Sequence, residues 1–187
     1  MLDRAPMGLA NWLTIVRILL IPVFVTLLVY NRVILALCAF VLAGVTDMLD
    51  GYIARTRDSQ TRLGAFLDPL ADKLLLTAAF VTLTYKFPRL LPFWVTAVVL
   101  SRDLVLILVA ALIMLTRGQV NPAPTLLGKT STVFQMITVG VALLAVTVAD
   151  AGWLLRHLLI PITVALTLAS GVQYLVLAPR YVEWEPR

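Results

Sequence analysis

Four aspartates, Asp47, Asp50, Asp68 and Asp72, fall within or at the edge of stretches that are otherwise apolar. An ionised group costs a few kcal/mol when placed deep in a bilayer, so such residues usually face a polar cavity and carry function. Asp47 and Asp50 are three positions apart and Asp68 and Asp72 four, which puts each pair on one face of a helix. The segment between the pairs is short, so the two helices are expected to be antiparallel neighbours with all four carboxylates converging at one end. Unpaired carboxylates so close together repel one another, and divalent cations resolve the conflict. Carboxylate and water ligands suit Mg²⁺, Mn²⁺ or Ca²⁺, whereas the lack of nearby His and Cys argues against zinc.

The residues around the acids suit phosphate. Gly51 and Ala54 are small and let a ligand approach the helix closely. Arg55 can offer bidentate contacts to phosphate oxygens, and Gly64 does the same spacing work ahead of the second acidic pair. Asp68-Pro69 fits the start of a helical turn. Other ionisable residues in apolar surroundings are Arg17, Lys73, Arg102 and Asp103.

The elements that must position these groups are transmembrane helices. Of 187 residues, 61% are hydrophobic and 13% charged, and mean hydropathy is +0.97; a soluble domain carries about a quarter charged residues. Stretches of about 20 apolar residues can span a bilayer. Six can be drawn: Leu9–Tyr30, Val33–Ile53, Ala65–Tyr85, Leu91–Thr116, Leu126–Ala149 and Leu154–Leu177. Asn31-Arg32, Ala54–Arg62, Lys86–Arg89, Arg117–Pro124 and Asp150–Gly152 form the breaks. The expectation is an all-α integral membrane protein of six spans, one domain over residues 1–187. Pro22 and Pro161 lie inside spans and are expected to kink them. The first apolar run is too long for a signal h-region and lacks a cleavage site, so it is read as a retained helix.

Loop cations set the orientation. Arg4, Arg55, Arg57, Arg62, Arg117, Lys129, Arg180 and Arg187 fall on one side and outnumber Arg32, Lys86, Arg89 and Arg156 on the other. Both termini and the loop between the acidic pairs are therefore expected in the cytoplasm. The net charge of +5 is read as loop charge attracted to anionic lipid, not as a nucleic-acid surface. Trp12, Trp94, Trp153, Trp184, Tyr30, Tyr85 and Tyr181 sit near span ends as interfacial anchors. Cys38 is the single cysteine and says nothing of redox compartment.

The pattern Asp47-x2-Asp50-Gly51-x2-Ala54-Arg55-x8-Gly64-x3-Asp68-x3-Asp72 resembles the signature of the CDP-alcohol phosphatidyltransferases at all eight fixed positions. The likeness extends from Asn11-Trp12-Leu13-Thr14-Ile15-Val16-Arg17 to Gly128-Lys129. It implies a six-helix fold, usually homodimeric, with a polar cavity open to the cytoplasm and laterally to lipid, in a bacterial inner membrane. It further implies transfer of a phosphatidyl group from CDP-diacylglycerol to an alcohol, with release of CMP. By resemblance Asp47, Asp50 and Asp68 hold two Mg²⁺ or Mn²⁺ ions, Asp72 serves both as a metal ligand and as the catalytic base, and Gly51, Ala54, Arg55 and Gly64 line the CDP site. Positioning and charge neutralisation are what phosphoryl transfer demands, and paired divalent ions supply both.

The segment Phe66–Lys73 is similar to the branch making phosphatidylglycerophosphate and cardiolipin. The first of those enzymes usually carries Ala-Arg-Glu where this chain has Ser101-Arg102-Asp103, and Gly-Lys-x-Lys where it reads Gly128-Lys129-Thr130-Ser131. Both departures, with Val45–Asp50, favour phosphatidylglycerol as acceptor, glycerol 3-phosphate being the alternative. Arg102, Lys129 and Arg17 are the candidate acceptor and phosphate ligands under either reading.

Blander readings compete at single positions. Arg17 could instead snorkel to head groups, Lys73 could form an ion pair, Asp103 could only orient Arg102, and Ser170 and Gly171 suit helix packing. His157 is expected at the surface. A rival from another class is a cation-coupled transporter, but transport sites lie near the midplane of two related halves, and no repeat is visible here.

Overall fold

Apolar runs ended by polar or turn-forming residues become helices. The computed structural model describes residues 9–57, 62–117 and 125–183, with side chains over 15–46, 73–109, 125–148 and 150–176. The helices are α1 (Leu9–Val29), α2 (Val33–Arg57), α3 (Arg62–Lys86), α4 (Phe93–Arg117), α5 (Leu126–Ala145), α6 (Ala149–Leu154) and α7 (Ile160–Glu183), with a π-helical turn at Leu155–Leu159. No strand occurs among the described residues. The chain divides into two units, Met1–Lys86 and Phe87–Arg187.

In the first unit α1 packs against both α2 and α3. Ala36, Ala39, Phe40 and Ala43 bury one face of α2, and the small residues let the helices come close. Phe40 meets Phe24 of α1 with ring centroids 5.9 Å apart. The turn after α1 forms where Asn31-Arg32 was expected. Asn31 takes φ 60°, a conformation asparagine tolerates. Arg32 N–H donates to Leu27 O at 2.8 Å and Asn31 N–H to Leu28 O at 3.0 Å, the paired bonds that satisfy helix-end carbonyls. Lys86 Nζ, from the last turn of α3, donates to Val29 O at 2.9 Å. The C-terminal ends of α1 and α3 therefore lie together.

In the second unit α7 packs against α4 and α5. Thr125 caps α5, its Oγ1 accepting from Gly128 N–H at 3.1 Å. A seam of buried hydroxyls joins α5 to α7: Thr138 and Thr163 oxygens are 2.7 Å apart, Ser131 and Thr167 oxygens 3.2 Å, and Gln135 Nε2 donates to Thr167 at 3.2 Å. Leu104, Leu108, Leu168, Val172, Leu175 and Val176 are exposed, an outer surface suited to lipid.

Among the described residues, two stretches are long and apolar enough to cross a membrane, Leu126–Ala145 and Asp150–Val176; Ile15–Val29 and Val33–Thr46 are shorter apolar stretches. Tyr30, Tyr85, Trp94 and Trp153 are exposed near helix ends; Trp12, Tyr181 and Trp184 fall outside the described side chains.

Several boundaries differ from expectation. Ala54 and Arg55, assigned to a break, are helical because α2 continues through Gly51 to Arg57; Ala and Arg are good helix formers. Asp68-Pro69 lies inside α3, which begins at Arg62, not at a helix start; membrane helices accommodate such prolines. The expected break at Asp150–Gly152 is displaced to 146–148. There Thr147 and Val148 N–H groups donate to Leu144 O at 3.0 and 2.8 Å, while Asp150 takes the first turn of α6, where the helix dipole favours an acid. Pro161 follows the π turn. Its ring cannot sit against the carbonyl four residues back, and Ile160 N–H reaches five back to Leu155 O.

Candidate active site

The register of the acids follows from helix bounds. Four residues, 58–61, join the end of α2 at Arg57 to the start of α3 at Arg62, so those ends lie no more than about 19 Å apart. At 1.5 Å per residue, Asp50 and Asp68 stand about 10 Å in from the joined ends, and Asp47 and Asp72 about 15 Å. Each acid thus lies about two to three turns inside its own helix. Helical spacing puts Gly51 and Ala54 on the face of Asp47 and Asp50, with Arg55 at its edge, and puts Gly64 on the face of Asp68 and Asp72. The side chains of all eight lie outside the described residues. Carboxylate is the ligand chemistry that a hard divalent cation takes.

The second unit holds the other sequence candidates. Arg102 and Asp103 of α4 are buried, each 8% exposed. Arg102 Nη1 donates to Asp103 Oδ1 at 2.7 Å, so Asp103 does orient the guanidinium. Nη2 donates to Ser170 Oγ of α7, also at 2.7 Å, while Nε is buried without a hydrogen-bond partner. Two glycines lie against this arrangement. A Cβ on Gly171 would sit 3.5 Å from Arg102 Cγ; one on Gly128 would sit 3.1 Å from Thr125 Oγ1 and 3.5 Å from Arg102 Nη2. Ser170 and Gly171, read from sequence as packing residues, thus also hold an arginine. A serine beside a glycine on an apolar helix was the available signal, but nothing in the sequence pairs it with position 102.

Arg102 forms part of the wall of a groove of about 170 Å³, whose other walls are mainly Val98 and Val105 of α4 and Leu168, Val172 and Leu175 of α7. The groove is apolar apart from the arginine and two hydroxyl residues, Ser101 and Thr167. Lys129 is exposed in the first turn of α5, where the free helix N–H groups also favour an anion. In the first unit Arg17 is fully buried, so it does not snorkel. Lys73 is half-buried. His157 is at the surface, stacked on Trp153 with centroids 5.3 Å apart.

The family model for CDP-alcohol phosphatidyltransferases matches residues 7–169. A CDP-diacylglycerol–glycerol-3-phosphate 3-phosphatidyltransferase of Pseudomonas fluorescens is 40% identical over 181 residues, covering 90% of this chain and 89% of that protein. A probable phosphatidylglycerophosphate synthase of Mycobacterium tuberculosis is 34% identical over 180 residues, covering 92% and 82%. Human cardiolipin synthase (CMP-forming) is 42% identical over 125 residues, which is 66% of this chain and 40% of the human protein.

Proposed function

The chain belongs to the CDP-alcohol phosphatidyltransferase family, and from that premise we propose that it joins CDP-diacylglycerol to phosphatidylglycerol, releasing CMP. Membership makes it a phosphatidyltransferase of phospholipid synthesis and removes the transporter alternative. The proposal concerns the acceptor, the metal and the roles of individual residues.

In this reading Asp47, Asp50, Asp68 and Asp72 hold Mg²⁺ or Mn²⁺, whose chemistry is to neutralise the donor pyrophosphate and the departing CMP. Gly51, Ala54, Arg55 and Gly64 receive the CDP moiety. Asp72 accepts the proton of the acceptor hydroxyl, which requires hydrogen-bond reach. The acceptor oxygen forms a bond to the phosphorus bearing diacylglycerol, the P–O bond to the cytidylyl phosphate breaks, and CMP leaves with the electron pair. Lys129 meets the acceptor phosphate electrostatically, and Arg17 supplies buried positive charge. Both termini and the α2–α3 connection face the cytoplasm, all six spans cross the bilayer, and the enzyme works as a homodimer.

One observation carries the choice of acceptor: Arg102 is among the residues lining a groove that is otherwise largely apolar. Such a wall suits an amphiphile, with a polar group beside the arginine and hydrocarbon along Val98, Leu168 and Val172. Glycerol 3-phosphate has no apolar part to place there. The cardiolipin synthase likeness over 125 residues supports the same reading. The glycerol 3-phosphate alternative draws on the Pseudomonas relative, which aligns over 89% of its length. Purified protein supplied with CDP-diacylglycerol and Mg²⁺, then with each acceptor separately, should release CMP with phosphatidylglycerol. Release with glycerol 3-phosphate alone would reverse the choice.

A further inference from the structure

We infer that Ser170 is a positioning residue for acceptor recognition, acting through Arg102. The inference deepens the acceptor reading above and rests on Arg102 belonging to the acceptor site.

Arginine carries five N–H donors in a planar fork, and its orientation decides which of them a ligand can use. At Arg102 two anchors fix that plane from different helices. Asp103 Oδ1 takes Nη1 from α4 itself, and Ser170 Oγ takes Nη2 from α7, both at 2.7 Å. Asp103 alone, as the neighbouring residue, would leave the plane free to swing about that single contact. Ser170 supplies the second point, and it is fully buried. Gly171, the next residue on α7, lies against the stem of Arg102, where an added Cβ would sit in ordinary contact 3.5 Å from Cγ. Gly128 lies beside Nη2 in the same way, at 3.5 Å. The guanidinium is thus held by a carboxylate and a hydroxyl, and Arg102 is one of the residues lining the groove.

A plain interhelical contact would not need this. Elsewhere α7 is joined to α5 through uncharged hydroxyl pairs such as Thr138 with Thr163. Holding a buried cation by two directed bonds costs desolvation that an apolar contact avoids, and the groove gives the cost a purpose.

The test is steady-state kinetics on the full chain in lipid nanodiscs, with CDP-diacylglycerol, Mg²⁺ and whichever of phosphatidylglycerol and glycerol 3-phosphate the wild type turns over. S170A should raise the acceptor KM about tenfold, the weight of one hydrogen bond to a charged group. The KM for CDP-diacylglycerol should stay within about twofold, because uniform loss of acceptor binding leaves donor binding alone. S170T keeps the hydroxyl and should return the acceptor KM toward wild type. T138V removes the comparable buried Thr138–Thr163 contact; it should lower thermal stability and move neither KM. Should S170A fail to fold, S170C, close in size but a weak acceptor, takes its place. The inference is overturned if S170A behaves as T138V does, or if both KM values rise together. A wild type that uses only glycerol 3-phosphate sinks the choice of acceptor but not this inference, since the comparison is then made on glycerol 3-phosphate.

Discussion

Ser131 Oγ lies 3.2 Å from Thr167 Oγ1, and both residues are completely buried between α5 and α7. By the resemblance drawn from the sequence, position 131 is where a phosphatidylglycerophosphate synthase would carry a second lysine. Here Ser131 is part of the hydroxyl seam and packs against α7. S131A should cost about 1 kcal/mol, the usual weight of an interhelical hydrogen bond in a membrane protein. A melting curve in detergent checks this, with both substrate KM values expected to stay unchanged.

Asp72 is assigned the proton transfer, which contributes roughly 10²–10⁴-fold to a rate. D72N should lower kcat by at least that factor, and titration with CDP-diacylglycerol should still give binding close to wild type. Equal loss of turnover and donor binding would remove Asp72 from the role of base.

Asp47 and Asp72 each lie about 15 Å in from the end of their own helix at the α2–α3 connection. If both contribute to one cation site, D47N should raise the Mg²⁺ concentration for half-maximal activity by about tenfold or more, as loss of one charged ligand weakens a carboxylate site. EDTA should abolish wild-type turnover, and Mg²⁺ or Mn²⁺ should restore it. Activity that survives EDTA would end the metal assignment.

Arg102 and Asp103 form a buried ion pair with side chains 7% and 11% exposed. Removing one partner strands a charge, which costs about 3–5 kcal/mol, whereas replacing both with apolar residues is often near neutral. R102M should therefore unfold the protein more readily than R102M/D103L does. Thermal denaturation of the two variants decides the point, and a double variant no better than the single one would show that the pair is not what α4 depends on.

Asn31 adopts φ 60° at the end of α1. N31G should be tolerated, while N31V should cost on the order of 1–3 kcal/mol, because a β-branched residue is strained in the left-handed region. Comparative melting of the two variants measures the difference.

The helices were legible in the sequence because polar punctuation and long apolar runs act locally. Asn31-Arg32 marked a turn that forms as read, and Val33 and Leu126 open the helices they were expected to open. Asp150 misled because an acid in an apolar context looks like an interruption, although it can equally open a helix. Arg55 misled in the opposite sense: taken as loop charge, it is a helical residue. At the site, Asp103 could be paired with Arg102 because they are neighbours in sequence. Ser170 could not, since its contact spans 68 positions and depends on how α4 and α7 pack.

The seam between α5 and α7 reverses the usual amphipathic logic of a helix. Among the described side chains of α7 the buried positions are Ile160, at its first residue, and then Thr163, Thr167 and Ser170, at helical spacing, while Leu168, Val172 and Leu175 face outward. A soluble-protein rule would turn that helix inside out, because it assigns the oily stripe to the interior. In hydrocarbon there is no gain from hiding leucine, and the hydroxyls specify which face meets its neighbour. Greasing the interior of α7 and polarising its exterior should therefore be comparable injuries, and a stability screen designed for a water-soluble fold would misjudge both.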